Sequence, residues 1–307
     1  MRLTRQINLQ RTPRIRPKAT SSRSGFVLLL VLALIVVAGL VSAGVARRSL
    51  LIALESAKGV DDLQTRWARV SLQQCVLLQA DAILNTEMSR RPAEDRIRSH
   101  YADTEIRLAG KDYLLRIADE EAKASLNTIF HTQGESSVTR TVRDFACESS
   151  DLTVNLRPFA VTDAAERLPV FDSWGQVFHF ASSQDPARVP AKLMQATTNL
   201  TCWGSGRLNV VRTSDVVANL LLRPLDQTGL MDRLNQARGA RGTRSLNELV
   251  EQSRQNPRDE GLVNLIALRS GCFSLWMRVQ DGQSRHYELH IAEQTGNRRA
   301  DIMSFVW

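Results

Sequence analysis

The longest apolar stretch of the chain, Phe26 to Ala46, runs 21 residues without a charge and is closed by Arg47 and Arg48. As an α-helix it extends roughly 31 Å, close to the thickness of a bilayer's hydrocarbon core. The apolar region of a cleavable secretory signal is only about 7–15 residues long, so the pattern predicts a retained membrane anchor. Gly44, Val45 and Ala46 offer a rival, a signal-peptidase cut after Ala46. Past the arginine pair, apolar residues recur at helical spacing at Val60, Leu63, Trp67, Val70, Leu77 and Leu84, interrupted by Gln74 and Asp81. The helix is expected to continue out of the span. A break is expected around Gly59, where Asp61 or Asp62 can recap its second half.

Alternation then replaces the helical period. Ile106 and Leu108, a turn at Ala109-Gly110-Lys111 and the return Tyr113–Ile117 predict a β-hairpin. Further on, Ser214 or Thr213 caps a helix with an apolar face of Val216, Val217, Leu220 and Leu221, ended by Pro224. Residues 231–255 have the composition of two more short helices, with Ser245 capping the second and Glu248 three residues on. A strong hairpin closes the pattern: Phe273, Leu275 and Met277 alternate, Asp281-Gly282 turns, and Tyr287, Leu289 and Ile291 alternate again. Helices and antiparallel strands in this order predict an α+β fold.

Charge changes the picture by its location. The chain carries a net +8, but Arg2, Arg5, Arg11, Arg14, Arg16, Lys18 and Arg23 supply +7 with no acidic residue among positions 1–25, leaving 8 − 7 = +1 for the rest. The basicity belongs to the tail before the span, which holds the N-terminus in the cytoplasm and sets the bulk of the chain outside it, in the periplasm where there is one. No nucleic-acid face is implied.

Candidate chemistry is sparse. Asp119, Glu120 and Glu121 beside Lys123 read as a solvated turn. His286, Glu288 and His290 share one face of a strand and have metal-ligand side chains, but no third strong ligand accompanies them, so this reads as a wet face. Arg233, Arg238, Arg241 and Arg244 come without a glycine-rich phosphate cradle and read as a solvated helical surface. Cys75 lies in the long helix and is expected to be a buried thiol. Outside the cytoplasm Cys147, Cys202 and Cys272 can supply one disulfide of undetermined pairing. No HExxH, nucleophile elbow, GxGxxG or CxxC occurs, and no catalytic residue is assigned.

Ser24-Gly25-Phe26 followed by the apolar helix resembles the class III signal of type IV pilins and pseudopilins. The resemblance implies cleavage after Gly25 by a prepilin peptidase and methylation of Phe26. Most of that family carry a glutamate at the fifth mature position, which pairs with a neighbouring subunit's amine; here that position is Leu30. Its absence resembles the minor pseudopilin of type II secretion called protein K, a subunit that caps a filament. Asp119, Glu120, Glu121, Lys123, Leu126 and Asn127 match that family's Asp-Glu-x-Gly-Lys-Ile-Asn-Leu-Asn run, with Ala122 and Ser125 departing from it. Gly206, Leu208, Asn209 and Val210 match its second segment, where Val211 and Arg212 replace the usual asparagine and threonine. Asp172, Trp174, Gly175 and Phe178 resemble instead a loop of the major pseudopilin, and are read as a hairpin that can belong to the sheet.

The resemblance implies a pilin-like fold: a basic leader (1–25), a transmembrane segment opening a long helix (26–46), the rest of the helix with the first strands (47–130), an inserted mostly helical subdomain (131–268) and a C-terminal hairpin completing the sheet (269–307). It implies an inner-membrane, single-pass subunit with minor and major pseudopilins, the prepilin peptidase and the secretion platform as partners. It leaves room for bound calcium, though no loop has the ligand density to name a site. The other reading of the same pattern is a single-span envelope protein with an extracytoplasmic ligand-binding domain.

Overall fold

The computed structural model of the chain describes residues 23–90, 100–146, 152–159, 169–180, 188–226, 229–240, 243–281, 284–294 and 300–307. Most of the basic leader, Cys147, the turn at Gly282, and the side chains of Arg238, Arg241, Arg244 and Ser245 lie outside the described residues. The chain divides into two units, Met1–Leu63 and Gln64–Trp307.

The described part of the first unit is helix. α1 runs from Arg23 to Leu78 over 56 residues without the break expected near Gly59. One glycine costs a helix only about 1 kcal/mol and no proline is present, so Asp61 and Asp62 remain inside it. Its apolar side chains from Phe26 to Leu54 are exposed, Phe26 to 70%. Among the described residues it is the one helix long and apolar enough to cross a membrane. Lipid satisfies such a surface, because a helix closes its own backbone bonds.

The second unit begins with the end of α1. The interruption falls at Gln79, after which α2 (Ala80–Arg90) continues. A five-stranded antiparallel sheet follows, ordered β1 (Tyr101–Leu108), β2 (Lys111–Asp119), β9 (Cys272–Asp281), β10 (Ser284–Glu293), β11 (Asp301–Val306). Both predicted hairpins are present; β11 was not anticipated. The first hairpin turns at Ala109 (φ 52°) and Gly110 (φ 77°), with Leu108 facing Lys111. Two consecutive positive φ values give the type I′ turn that matches strand twist.

β2 and β9 are sheet neighbours, and the chain between them holds everything else. It contains β3 (Ala124–Ser125), α3 (Leu126–Gln133), α4 (Glu135–Ala146), β4 (Thr153–Val154), β5 (Phe178–His179), α5 (Val189–Ala196), β6 (Leu200–Thr201), β7 (Leu208–Asn209), α6 (Asp215–Leu222), α7 (Leu230–Ala240), α8 (Thr243–Arg254), α9 (Glu260–Val263) and β8 (Ile266–Ala267). Ser214 caps α6 by accepting from the Val217 amide. α8 starts at Thr243, so Ser245 sits inside its first turn rather than at the cap. The Asp172–Phe178 segment does not join the main sheet; β5 pairs with β4 in a small sheet of their own.

Both faces of the sheet are covered. One carries Tyr113, Leu115, Ile117, Phe273, Leu275, Met277 and Val279, packed under Ala68, Leu72, Val76, Leu77, Ala80 and Leu84 of α1 and α2. The buried helix face agrees with the stripe the spacing suggested at Leu77 and Leu84 but not before them: Val60, Leu63 and Trp67 are exposed, Trp67 to 64%. Small Ala68 and Ala80 bring the helices close to the strands. The opposite face, with Trp276, Leu289 and Ile291, shares a core with the helical region. Burying roughly 25 cal/mol per Å² of apolar surface on each side makes this three-layer packing the main stabilising contribution.

Candidate functional site

Gly25 and Phe26 lie in the first turns of α1, both exposed. A Cβ built on Gly25 meets nothing within 4 Å, so packing in this chain places no demand for glycine there. Leu30 is exposed on the same helix.

The two sequence motifs, some 80 residues apart, converge on one polar hub. Asp119 ends β2, and a 3-10 turn carries Glu120 and Glu121. The run is buried rather than solvated, with Asp119 fully inaccessible and Lys123 buried beside it. Asp119 accepts from Ser270 Oγ (2.6 Å), Asn209 Nδ2 (2.9 Å) and the Arg212 guanidinium (3.0 Å). Burial holds its carboxyl above the ordinary range while those three donors pull it down. Glu120 is ion-paired with Lys123. Glu121 accepts from the Ser205 amide (3.0 Å), the Ser205 hydroxyl and the Gly271 amide (2.9 Å). The turn misread as wet is so because its partners lie 84 to 151 residues further on.

Asn127 and Gly206 belong to the same assembly. Asn127 donates to Phe171 O (2.9 Å) and Cys202 O (2.8 Å) and accepts from the Val170 and Phe171 amides (2.8 Å each). Thr128 Oγ1 donates to Gly206 O at 2.8 Å, and a Cβ on Gly206 would stand 3.1 Å from that hydroxyl at φ +77°, so glycine is the unstrained choice there. Asn209 accepts from the Val211 amide besides bonding Asp119. Asp119, Glu121, Asn127 and Asn209 thus each tie together segments remote in sequence.

Sequence reasoning missed Arg212. It is only 3% exposed, and its second nitrogen donates to Asp81 Oδ1 (2.6 Å), Asp81 O (3.2 Å) and Asn85 Oδ1 (2.7 Å). One guanidinium joins α2, the end of β2 and the loop before α6. Two oddities signalled it: Asp81 interrupting an apolar stripe, and Arg212 standing where a threonine is usual. They are partners.

His100 is also buried and was unassigned. Its Nε2 lies 2.8 Å from Thr198 O, and burial, with Lys123 nearby, lowers its pKa to about 4.

The strand read as a wet face is not one. Glu288 and His290 are buried under the helix side of the sheet: Arg69 of α1 pairs with Glu288 at 2.8 Å, and His290 reaches Glu288 at 3.2 Å and Ser304 at 2.7 Å. His286 is exposed. Cys75 is exposed, not buried, because it lies off the helix face that meets the sheet. Cys202 and Cys272 are buried free thiols whose pKa values burial pushes up.

Calcium does not fit the acidic run. Asp119 and Glu121 already accept from protein donors, and the counter-cations are Arg212 and Lys123. Among the described residues no group of three or more His, Cys, Asp or Glu side chains is placed to hold a metal. A cavity of about 660 Å³ opens beside Asn127, Phe171, Trp203 and Gly206, but Asn127 spends its hydrogen bonds on the chain itself.

No protein-family model matches the chain, and no curated protein matches it. Among solved structures the chain is similar to a chain of the GspK-GspI-GspJ complex from the type 2 secretion system of enterotoxigenic Escherichia coli, at 13% identity and a TM-score of 0.44, covering 82% of this chain and 99% of that one.

Proposed function

We propose that the chain is a minor pseudopilin of a type II secretion system, a subunit of protein K type that caps or initiates a short periplasmic filament. It is an assembly subunit rather than an enzyme. The observation that carries this reading is α1: one unbroken helix that holds Gly25-Phe26 in its first turn, exposes an apolar surface long enough to span a bilayer, and packs its last turns on an antiparallel sheet. On this reading a prepilin peptidase removes residues 1–25 and Phe26 becomes the methylated N-terminus. The chain then crosses the inner membrane once, N-terminus inside, with the sheet and helical region in the periplasm. Leu30 leaves no carboxylate to pair with a subunit above, and the helical region inserted between β2 and β9 adds bulk that blocks further addition. Its partners are the other minor pseudopilins, the major pseudopilin and the inner-membrane platform.

Deleting the chain's gene tests this reading. Export of the system's folded cargo should stop and return with the wild-type gene. Undiminished export by the deletion strain would contradict it and favour an envelope receptor.

A further inference from the structure

Glu288, His290 and Ser304 form a row on the helix-covered side of the main sheet, away from the polar hub. Glu288 and His290 stand two residues apart on β10, and Ser304 of β11 lies directly across from His290. The Ser304 hydroxyl is 2.7 Å from His290 Nδ1. His290 Nε2 is 3.2 Å from Glu288 Oε2, and Arg69 holds the other oxygen of that carboxylate at 2.8 Å. A carboxylate can only accept, so it fixes the imidazole proton on Nε2. Nδ1 then turns its lone pair to the Ser304 hydroxyl, which donates. His290 and Glu288 are only 5% and 3% exposed, whereas Ser304 opens to solvent. A reagent can therefore reach the hydroxyl but not the groups behind it. The backbone adds a fourth part. Tyr287 and Trp307 exchange both backbone bonds (3.0 and 3.4 Å), so every second pair along β10 and β11 does the same and the pairs between do not. His290 and Ser304 are one of the pairs between. The Ser304 amide thus points away from β10, at the edge of the sheet.

The geometry points to Ser304 as an acyl-accepting nucleophile, a site of covalent modification by an activated carboxylic ester. This goes beyond the pseudopilin reading and does not depend on it. Nucleophile, base and orienting acid stand in the order that activates a serine, each within hydrogen-bond reach of the next. Ser304 Oγ forms a bond to the acyl carbon while its proton passes to His290 Nδ1. Glu288, held by Arg69, positions the ring and stabilises the imidazolium that results. The carbonyl oxygen becomes an oxyanion, and the outward Ser304 amide can donate to it, the part a nucleophile's own amide takes in serine proteases. The bond to the leaving oxygen then breaks. That oxygen takes the proton from Nδ1 and departs as a neutral alcohol, leaving the acyl group on Ser304. Val306, 68% exposed, follows Ser304 on the same side of the strand and suits an apolar acyl chain.

The full chain in detergent is treated with a fluorophosphonate probe, which reads the same attack by an activated serine, and peptide masses locate the adduct. Ser304 should carry it, and Ser304→Ala, a change at an exposed position, should lose it. His290→Gln removes the base and should slow labelling of Ser304 about a hundredfold. Should His290→Gln fail to fold, the comparison is with the wild-type chain unfolded in urea, where the row is dispersed and labelling should slow by about the same factor. Release of p-nitrophenolate from p-nitrophenyl butyrate should be faster with the wild-type chain than with Ser304→Ala. No adduct on Ser304 of the folded chain overturns the proposal, and so does a labelling rate unchanged in folded His290→Gln or in the unfolded chain. Equal release from the ester by the wild type and Ser304→Ala overturns the assignment of a carboxylic ester as the reagent.

Discussion

Ala109 sits at φ 52° in the first hairpin, a conformation an L-residue with a Cβ adopts at a cost of about 1–2 kcal/mol. Ala109→Asn restores the Asn-Gly pair that type I′ turns prefer, and should stabilise the fold by about 0.5–1 kcal/mol, read as a higher midpoint in urea. His100 gives a pH prediction. The unfolded chain takes up a proton near histidine's ordinary value of 6.5, whereas the folded chain resists until about 4. Stability from this group is complete above pH 6.5 and is lost as pH falls through that window. Between pH 7 and pH 4.5 the loss is on the order of 2–3 kcal/mol, and His100→Gln should remove that share of the acid sensitivity in urea titrations at the two pH values. An unchanged difference would contradict the burial of His100. Neither residue could be singled out from sequence for its energetic role. A positive φ at Ala109 follows only once the two-residue turn is fixed, and His100 is one histidine of five until Thr198 closes over it. The Asp119–Glu121 run failed for a related reason. Its residue types are those of a wet turn, and only the donors at Ser205, Asn209, Arg212, Ser270 and Gly271, brought in by the fold, make its burial affordable.

Elements were more legible than their faces. Helical and alternating periods located α1, the two hairpins and α6, because each of those patterns is local. The buried side of the helices was read correctly at Leu77 and Leu84 but not earlier, because Trp67 and Leu63 outweigh Ala68 in apolarity, yet it is Ala68 that meets the sheet. β10 was misread as half-wet because the helix layer that covers Glu288 and His290 is remote in sequence. The junction of α2, β2 and the loop before α6 depends on Arg212. Replacing it with Met leaves Asp119 buried without its cation, and should cost about 3–5 kcal/mol. Asp81→Asn should cost under about 1 kcal/mol, since Asp81 is 60% exposed. Chemical denaturation of both variants checks the ordering, and equal losses would show that Asp119 does not depend on Arg212. In α1, Leu30→Glu puts an unpaired carboxylate in hydrocarbon at a cost of about 2–4 kcal/mol. Incorporation into filaments, read by co-purification with the major pseudopilin, should fall or stay flat. A clear gain would mark a mid-filament subunit instead.

At the scale of the whole molecule, the proposed function needs a basic leader and a membrane-spanning helix ahead of the three-layer domain, which is stabilised by apolar faces and one buried polar hub. The apolar segment of α1 was legible because apolar length needs no tertiary partner. The sheet order was not, since β2 meets β9 across more than 150 residues of intervening chain. The central claim is that α1 is kept whole and begins, in the mature protein, at Phe26. Intact-mass and N-terminal analysis of the chain, expressed with and without a prepilin peptidase, tests this most directly. With the peptidase the account predicts a chain starting at Phe26 and carrying one added methyl group; without it, or with Gly25→Val, it predicts a full-length, membrane-inserted precursor. A mature N-terminus at Arg47 in the presence of the peptidase would mean that the apolar segment is discarded as an ordinary signal, and would contradict the account.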